Sequence, residues 1–187
     1  MNVLAQVVLT LVAATGLVLF LLAAIKGIRT YFKYRGKRLI VCPENRLPAA
    51  VEVDALRAGY ADAKDSPHLQ LHTCSRWPEM RACGQECLSQ IEHSPEDCLV
   101  RTIVTRWYAG KVCAVCGKAI HEVDWLGHKP ALLDPEGKTV YWDNIQTEKL
   151  PEVFSTHAPV CWDCHIAATL LREHPDLVTY RPWPPRT

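Results

Sequence analysis

The chain has 187 residues, of which 49% are hydrophobic and 22% charged, a globular composition that excludes a disordered chain. Its 21 lysines and arginines and 20 acidic residues give a formal net charge of +1, but these charges are unevenly placed. Residues 26–38 carry six cations and no acid, so residues 39–187 keep 15 cations and 20 acids. Since nucleic-acid binding depends on neutralising phosphates, we expect no nucleic acid as a partner of this mildly acidic body.

The first predicted element is an apolar segment, residues 3–25, that contains no charged side chain. As a helix, this segment would be about 35 Å long, enough to cross a hydrocarbon core of about 30 Å. We therefore predict a single transmembrane helix within residues 1–25. A cleaved signal peptide fits less well, because no basic residue precedes the apolar core.

A basic juxtamembrane segment, residues 26–38, follows the predicted span. Because all six cations come after the span, the positive-inside rule places the N-terminus outside and the C-terminal domain in the cytoplasm. Tyr31, Phe32 and Tyr34 stand among these cations and are predicted to lie at the level of the lipid head groups. We thus expect a cell-membrane protein with the lipid bilayer as a partner. Thiols stay reduced in the cytoplasm, so nine cysteines favour metal binding or redox chemistry.

Residues 39–109 are predicted to form a cysteine-containing α+β subdomain. Residues 38–53 are typical of two short strands around a turn that begins at Cys42. Pro78 suits the first position of a helix that should end near Ser94.

Four cysteines of this subdomain form a loose set. They are Cys42, Cys74, Cys83 and Cys87. Cys83 and Cys87 are four residues apart and would share one face of the predicted helix. The set is a candidate second metal site for zinc or, alternatively, for an iron–sulfur cluster. The other interpretation is that these cysteines are small buried hydrophobic residues, as we expect for Cys98.

The strongest chemical signal is a pair of C-x-x-C motifs, Cys113–Cys116 and Cys161–Cys164. One turn can direct two such sulfurs at a metal ion, and two turns complete the tetrahedral sulfur shell that Zn²⁺ accepts. Gly117 follows the first motif, where a tight knuckle needs a residue that adopts positive φ. The second motif opens an apolar helix, whose N-terminal dipole favours thiolates. The sequence thus predicts one structural zinc ion, or two if the looser set also binds.

A knuckle (CAVCGKAI), a hairpin and a helix with the last two ligands (CWDCHIAATLL) together resemble the treble-clef zinc fingers over about residues 110–174. The resemblance implies a structural zinc domain and no particular activity, since such folds serve many functions. The expected fold class is α+β, with one N-terminal transmembrane helix before a small cysteine-rich zinc domain. A Pro-rich tail, residues 175–187, closes the chain.

Three functions remain open from the sequence. The leading hypothesis is an interaction or assembly module with structural zinc and a membrane or cytoplasmic protein partner. Residues 161–165 also match the C-x-x-C-H pattern of haem attachment, in which Cys161 and Cys164 bind haem c and His165 ligates its iron. The chain would then be a membrane-tethered monohaem c-type cytochrome in electron transfer. The third hypothesis is a thiol-based metal or redox sensor. We assign no catalytic residue, so the sequence does not support an enzyme.

Overall fold

A computed structural model describes residues 2–64, 66–77, 79–80, 82–120 and 123–177. The chain divides into two units, Met1–Thr102 and Ile103–Thr187. The helices are α1 (Val3–Tyr34), α2 (Ala55–Lys64), α3 (Leu88–His93), α4 (Val100–Tyr108), α5 (Leu150–Thr156) and α6 (Trp162–Glu173). The strands are β1 (Lys37–Val41), β2 (Pro48–Val53), β3 (Leu71–Cys74), β4 (Ala131–Leu133), β5 (Thr139–Tyr141) and β6 (Ala158–Val160). The predicted mixture of helix and sheet is confirmed; the finer domain boundaries stay predictions.

The long apolar helix predicted at the N-terminus is α1, which continues beyond the apolar segment to Tyr34. By length and composition it is a candidate membrane span. Every residue from 2 to 22 is exposed, so this apolar surface has no protein partner within the described chain. The helix ends where the N–H of Arg35 donates to the carbonyl oxygen of Tyr31 at 3.0 Å. Gly36, with φ +100°, then turns the chain into β1.

The basic end of α1 packs against α2. The two backbones come closest at two glycines: a Cβ on Gly27 would lie 2.7 Å from the carbonyl oxygen of Gly59. On α2, buried Asp62 accepts a hydrogen bond from the Thr30 hydroxyl, and Lys26 Nζ lies 3.2 Å from Asp62 Oδ1. Because the two glycines have no side chains, the helices can approach closely. The contacts of Asp62 with Thr30 and Lys26 fix how the helices are aligned.

We expect Gly27→Ala to loosen this helix pair, because the new Cβ would overlap the backbone oxygen of Gly59. Overpacking of this kind costs about 1–3 kcal/mol of unfolding free energy. The matched control is Gly16→Ala on the same helix, where nothing lies within 4 Å of a Cβ. Amide hydrogen exchange of α2 in detergent micelles should accelerate in the first variant alone. Equal exchange in both variants and the wild type would contradict the close crossing.

The same helix pair should respond to acid. The hydrogen bond from Thr30 lowers the pKa of Asp62, burial opposes the shift, and Lys26 adds to it. Because the folded pKa lies below the ordinary value of 3.8, the stabilisation is complete above that pH and is lost as pH falls through the folded pKa. We expect the protection of the α2 amides, which is their exchange rate corrected for the intrinsic effect of pH, to fall only at strongly acid pH. Asp62→Asn should abolish this dependence, and a variant that retained it would implicate another group.

In the first unit, β1, β2 and β3 form an antiparallel sheet in that order. The hairpin predicted over residues 38–53 is present, with Lys37 opposite Glu52 and Val41 opposite Pro48. Alternate residues of β2 are buried, which is the period of a strand with one face on a core. The core of this unit includes Tyr34, Ile40, Ala49, Val51, Val53, Leu71 and Ile91.

Two side chains of the basic segment are buried in the protein: Arg38, and Tyr34, which was predicted to lie at the level of the lipid head groups. Arg38 is 0% exposed; its Nη1 donates to the carbonyl oxygen of Pro95 and its Nη2 to that of Lys33 at 2.7 Å. Tyr34 is buried in the core, whereas Phe32 is 59% exposed. Tertiary contacts bury these two side chains, because the end of α1 and the start of β1 each direct one face toward the interior of the protein.

The helix expected after Pro78 is wrong over most of its length. Pro78 itself lies outside the described residues, and residues 82–87 form turns and irregular chain before α3 begins. Gln85 has φ +59°, a left-handed conformation that a right-handed helix does not contain. Cys83 and Cys87 therefore do not share a helix face.

In the second unit, β4 pairs antiparallel with both β5 and β6. Tyr108 of α4 is fully buried, and its hydroxyl donates to the carbonyl oxygen of Ala131 on β4 at 2.7 Å. Trp107 stacks on Phe154 of α5 with ring centroids 4.9 Å apart. These contacts hold α4 and α5 in the unit. The apolar C-terminal helix predicted from the sequence is α6, and the tail beyond residue 177 lies outside the described residues.

Candidate metal centre

The first cysteine pair lies on a tight turn. The N–H of Cys113 donates to the carbonyl oxygen of Lys118 at 2.8 Å, and the N–H of Gly117 donates to that of Cys113 at 2.9 Å. Gly117 has φ +71°, the left-handed conformation that the sequence predicts for it. This turn is the predicted knuckle, and it carries both Cys113 and Cys116.

The second cysteine pair lies where β6 meets α6. Cys161 is the residue before the first turn of α6, and Cys164 lies within that turn. The N–H of Ala114 in the knuckle donates to the carbonyl oxygen of Pro159 on β6 at 2.8 Å. This hydrogen bond joins the knuckle to the strand that leads into Cys161, so the two pairs meet.

The structure brings all four of these cysteines together. Their sulfur atoms lie within 4.8 Å of one another, and Cys116 Sγ is 3.8 Å from Cys161 Sγ. The cysteines are free thiols. Zn–S bonds of about 2.3 Å in a tetrahedron place the sulfurs about 3.8 Å apart, which fits the observed distance. The group can therefore hold a metal ion such as zinc.

The surroundings of Cys113 favour its thiolate. Burial opposes ionisation of the Cys113 thiol, but backbone N–H groups of Cys116, Cys161 and Val115 outweigh it and lower its pKa to about 6. The N–H of Cys161 lies 3.3 Å from this sulfur. In contrast, burial and the neighbouring thiols raise the pKa of Cys164. A bound cation would offset the repulsion among four thiolates, so metal binding should release protons.

His165 follows the last cysteine but has other contacts. It is 4% exposed, its Nδ1 lies 2.8 Å from Thr139 Oγ1, and its ring packs edge-on against Tyr141. These contacts attach α6 to β5. Sequence reasoning missed this structural role, because the partners are about 25 residues away along the chain.

The looser cysteine set lies in the first unit. All four of its members line one small cavity; they are Cys42, Cys74, Cys83 and Cys87. Their sulfurs are not gathered as tightly as those of the first set. Cys98 does not line this cavity; its thiol donates to the carbonyl oxygen of Gln90 at 3.9 Å.

No protein-family model, curated protein or solved structure matches this chain. What the four-cysteine group does must therefore be inferred from its own geometry and chemistry. A shell of four sulfurs leaves no position for water, which is typical of structural zinc rather than catalytic zinc.

Proposed function

We propose that this chain is a single-pass membrane protein with its N-terminus outside and a zinc-containing domain in the cytoplasm. Residues 3–25 form the anchor, and the zinc ion is structural. The domain serves as an interaction or assembly module. The observation that carries the proposal is the convergence of four sulfurs, those of Cys113, Cys116, Cys161 and Cys164.

The order of elements around these sulfurs supports a treble-clef-like domain. A knuckle with the first two cysteines is followed by the β4–β5 hairpin and, after α5 and β6, by α6, at whose start the last two lie. This is the order that the resemblance implies over residues 110–174. The donor set also supports zinc, since four thiolates in a tetrahedron suit Zn²⁺.

The anchor and its orientation are supported by two observations. The apolar part of α1 is exposed along residues 2–22, and the cations of residues 26–38 follow it. Exposed apolar helix surface favours a lipid environment, and cations favour the cytoplasmic side.

Two observations favour structural zinc over the alternatives. A c-type haem is attached through Cys161 and Cys164, whereas here their sulfurs lie within 4.8 Å of those of Cys113 and Cys116. The His165 residue, which would ligate the iron, is 4% exposed and its ring packs against Tyr141. A thiol sensor needs an accessible thiolate, whereas Cys113, whose pKa is lowered, is 1% exposed.

The metal is tested on the full-length chain, purified from membranes in detergent without chelator. Elemental analysis should find zinc, with no visible absorption band. The double variant Cys113→Ser/Cys164→Ser should lose one zinc per chain, while the control Cys98→Ser should lose none. A red protein with haem bands, or a folded wild type without metal, would overturn the assignment.

The anchor and the module are tested separately. In sealed vesicles of known orientation, protease should digest residues 39–187 only when the cytoplasmic face is outside.

The role as an assembly module is tested by substituting Val115, a knuckle residue that is 57% exposed. Native gels of solubilised membranes should show an assembly larger than the monomer, and Val115→Asp should migrate as the monomer while retaining zinc. A monomeric wild type would contradict the assembly role.

A further inference from the structure

The turn between β1 and β2 repeats the knuckle of the second unit. The N–H of Cys42 donates to the carbonyl oxygen of Leu47 at 2.9 Å, and the N–H of Arg46 donates to that of Cys42 at 2.8 Å. Position for position, these are the two hydrogen bonds that close the turn at Cys113. Arg46 has φ +58° and occupies the place of Gly117.

The backbone conformation of this turn is unfavourable for the residue that adopts it. A left-handed conformation costs energy for every residue but glycine, and here an arginine adopts it. The place of the second knuckle cysteine is taken by Asn45. Asn45 Oδ1 accepts the N–H of Leu47 at 3.0 Å, while its Nδ2 is buried without a hydrogen-bond partner among the described residues. The turn is thus a knuckle with one cysteine.

Three more thiols converge on this knuckle from other segments. Cys74 ends β3, where it lies opposite Val51 of β2, and Cys83 and Cys87 come from the chain before α3. All four cysteines line one cavity, in which the volume open to the centre of a water-sized sphere is about 20 Å³. Such a volume has room for about one water molecule or one ion.

One thiol of this cavity has the same kind of backbone contact as a thiol of the four-cysteine group in the second unit. The N–H of Gln85 donates to the sulfur of Cys83 at 3.3 Å. A backbone N–H directed at sulfur also occurs in the second unit, from Cys161 to Cys113.

We propose that a second zinc ion is held by Cys42, Cys74, Cys83 and Cys87. One ion fits the small cavity better than an iron–sulfur cluster, whose several atoms need more space. The sulfurs must draw closer than they stand here. Residues 82–87, which carry Cys83 and Cys87 and are in neither helix nor strand, are the segment that would have to adjust. The ion then joins the β1–β2 turn, the end of β3 and the start of α3. This proposal stands independently of zinc in the second unit.

Zinc counting on the full-length chain in detergent separates the two centres. We expect two zinc ions per chain in the wild type and in Cys98→Ser. We expect one in Cys42→Ser/Cys87→Ser and one in Cys113→Ser/Cys164→Ser. A wild type with one zinc that Cys113→Ser/Cys164→Ser removes completely would overturn the second site and leave the first intact. Iron with a brown colour would overturn the assignment to zinc.

A rescue experiment distinguishes lost coordination from a general loss of folding. Cys83→Ser should weaken the second zinc about tenfold or more in competition with a chelator. Adding Asn45→Cys should restore it, because the new thiol occupies the second ligand position of the knuckle beside Cys42. Rescue by this residue, which is distant from Cys83 in sequence, has no reason to occur if the cysteines only pack. Failure of Asn45→Cys to restore zinc would overturn the knuckle assignment.

Discussion

Replacing Cys113 by serine is expected to unfold the second unit while leaving α1 in the membrane. A serine hydroxyl is a poor zinc ligand, and removing one of four thiolates also opens the shell. Structural zinc contributes an apparent binding free energy of about 10–16 kcal/mol. That is as large as the whole stability of a typical domain, about 5–15 kcal/mol.

Tryptophan fluorescence and near-ultraviolet circular dichroism measure this loss, because the described part of the second unit contains Trp107, Trp125, Trp142 and Trp162. The control is Cys98→Ser, which removes a thiol outside both cysteine sets and should leave the spectra unchanged. Membrane extraction with alkali reports separately on the anchor. A folded Cys113→Ser protein with a full complement of zinc would refute the centre.

Replacing Arg38 by glutamine should have the next largest effect, on the first unit. The guanidinium donates to the carbonyl oxygens of Lys33 and Pro95 at a position that water does not reach. The shorter glutamine does not span both acceptors. Each of these partly buried carbonyls costs about 1–3 kcal/mol when it is left without a donor, so we expect a total loss of about 2–6 kcal/mol.

The matched control is Lys37→Gln, the exposed neighbour on the same strand, which should change stability by less than about 0.5 kcal/mol. Amide hydrogen exchange of β1 and β2 at increasing denaturant measures both variants. If the two variants exchange alike, Arg38 does not hold the unit together.

Local patterns in the sequence predicted the elements whose residues act on near neighbours. The two C-x-x-C motifs and Gly117 specified a knuckle, because two-residue spacing and positive φ are local properties. The period of apolar residues likewise predicted α6, and the uninterrupted apolar run predicted α1. The β1–β2 hairpin followed from its turn residues.

What sequence reasoning missed depends on distant contacts. Burial of Arg38 could not be read from a run of cations, since its acceptors lie five and 57 residues away. The helix expected after Pro78 failed because a left-handed Gln85 has no signal in its residue type. The knuckle between β1 and β2 was not predicted, because Asn45 and Arg46 occupy the positions at which the motif has cysteine and glycine.

The helix α1 passes without interruption from its apolar part into the stretch that packs against α2. No flexible linker therefore separates the proposed anchor from the first unit. In a bilayer, any tilt or rotation of the anchor about its axis would turn the first unit by the same angle. The tilt and rotation of the proposed anchor would therefore set which face of the first unit is turned toward the bilayer surface.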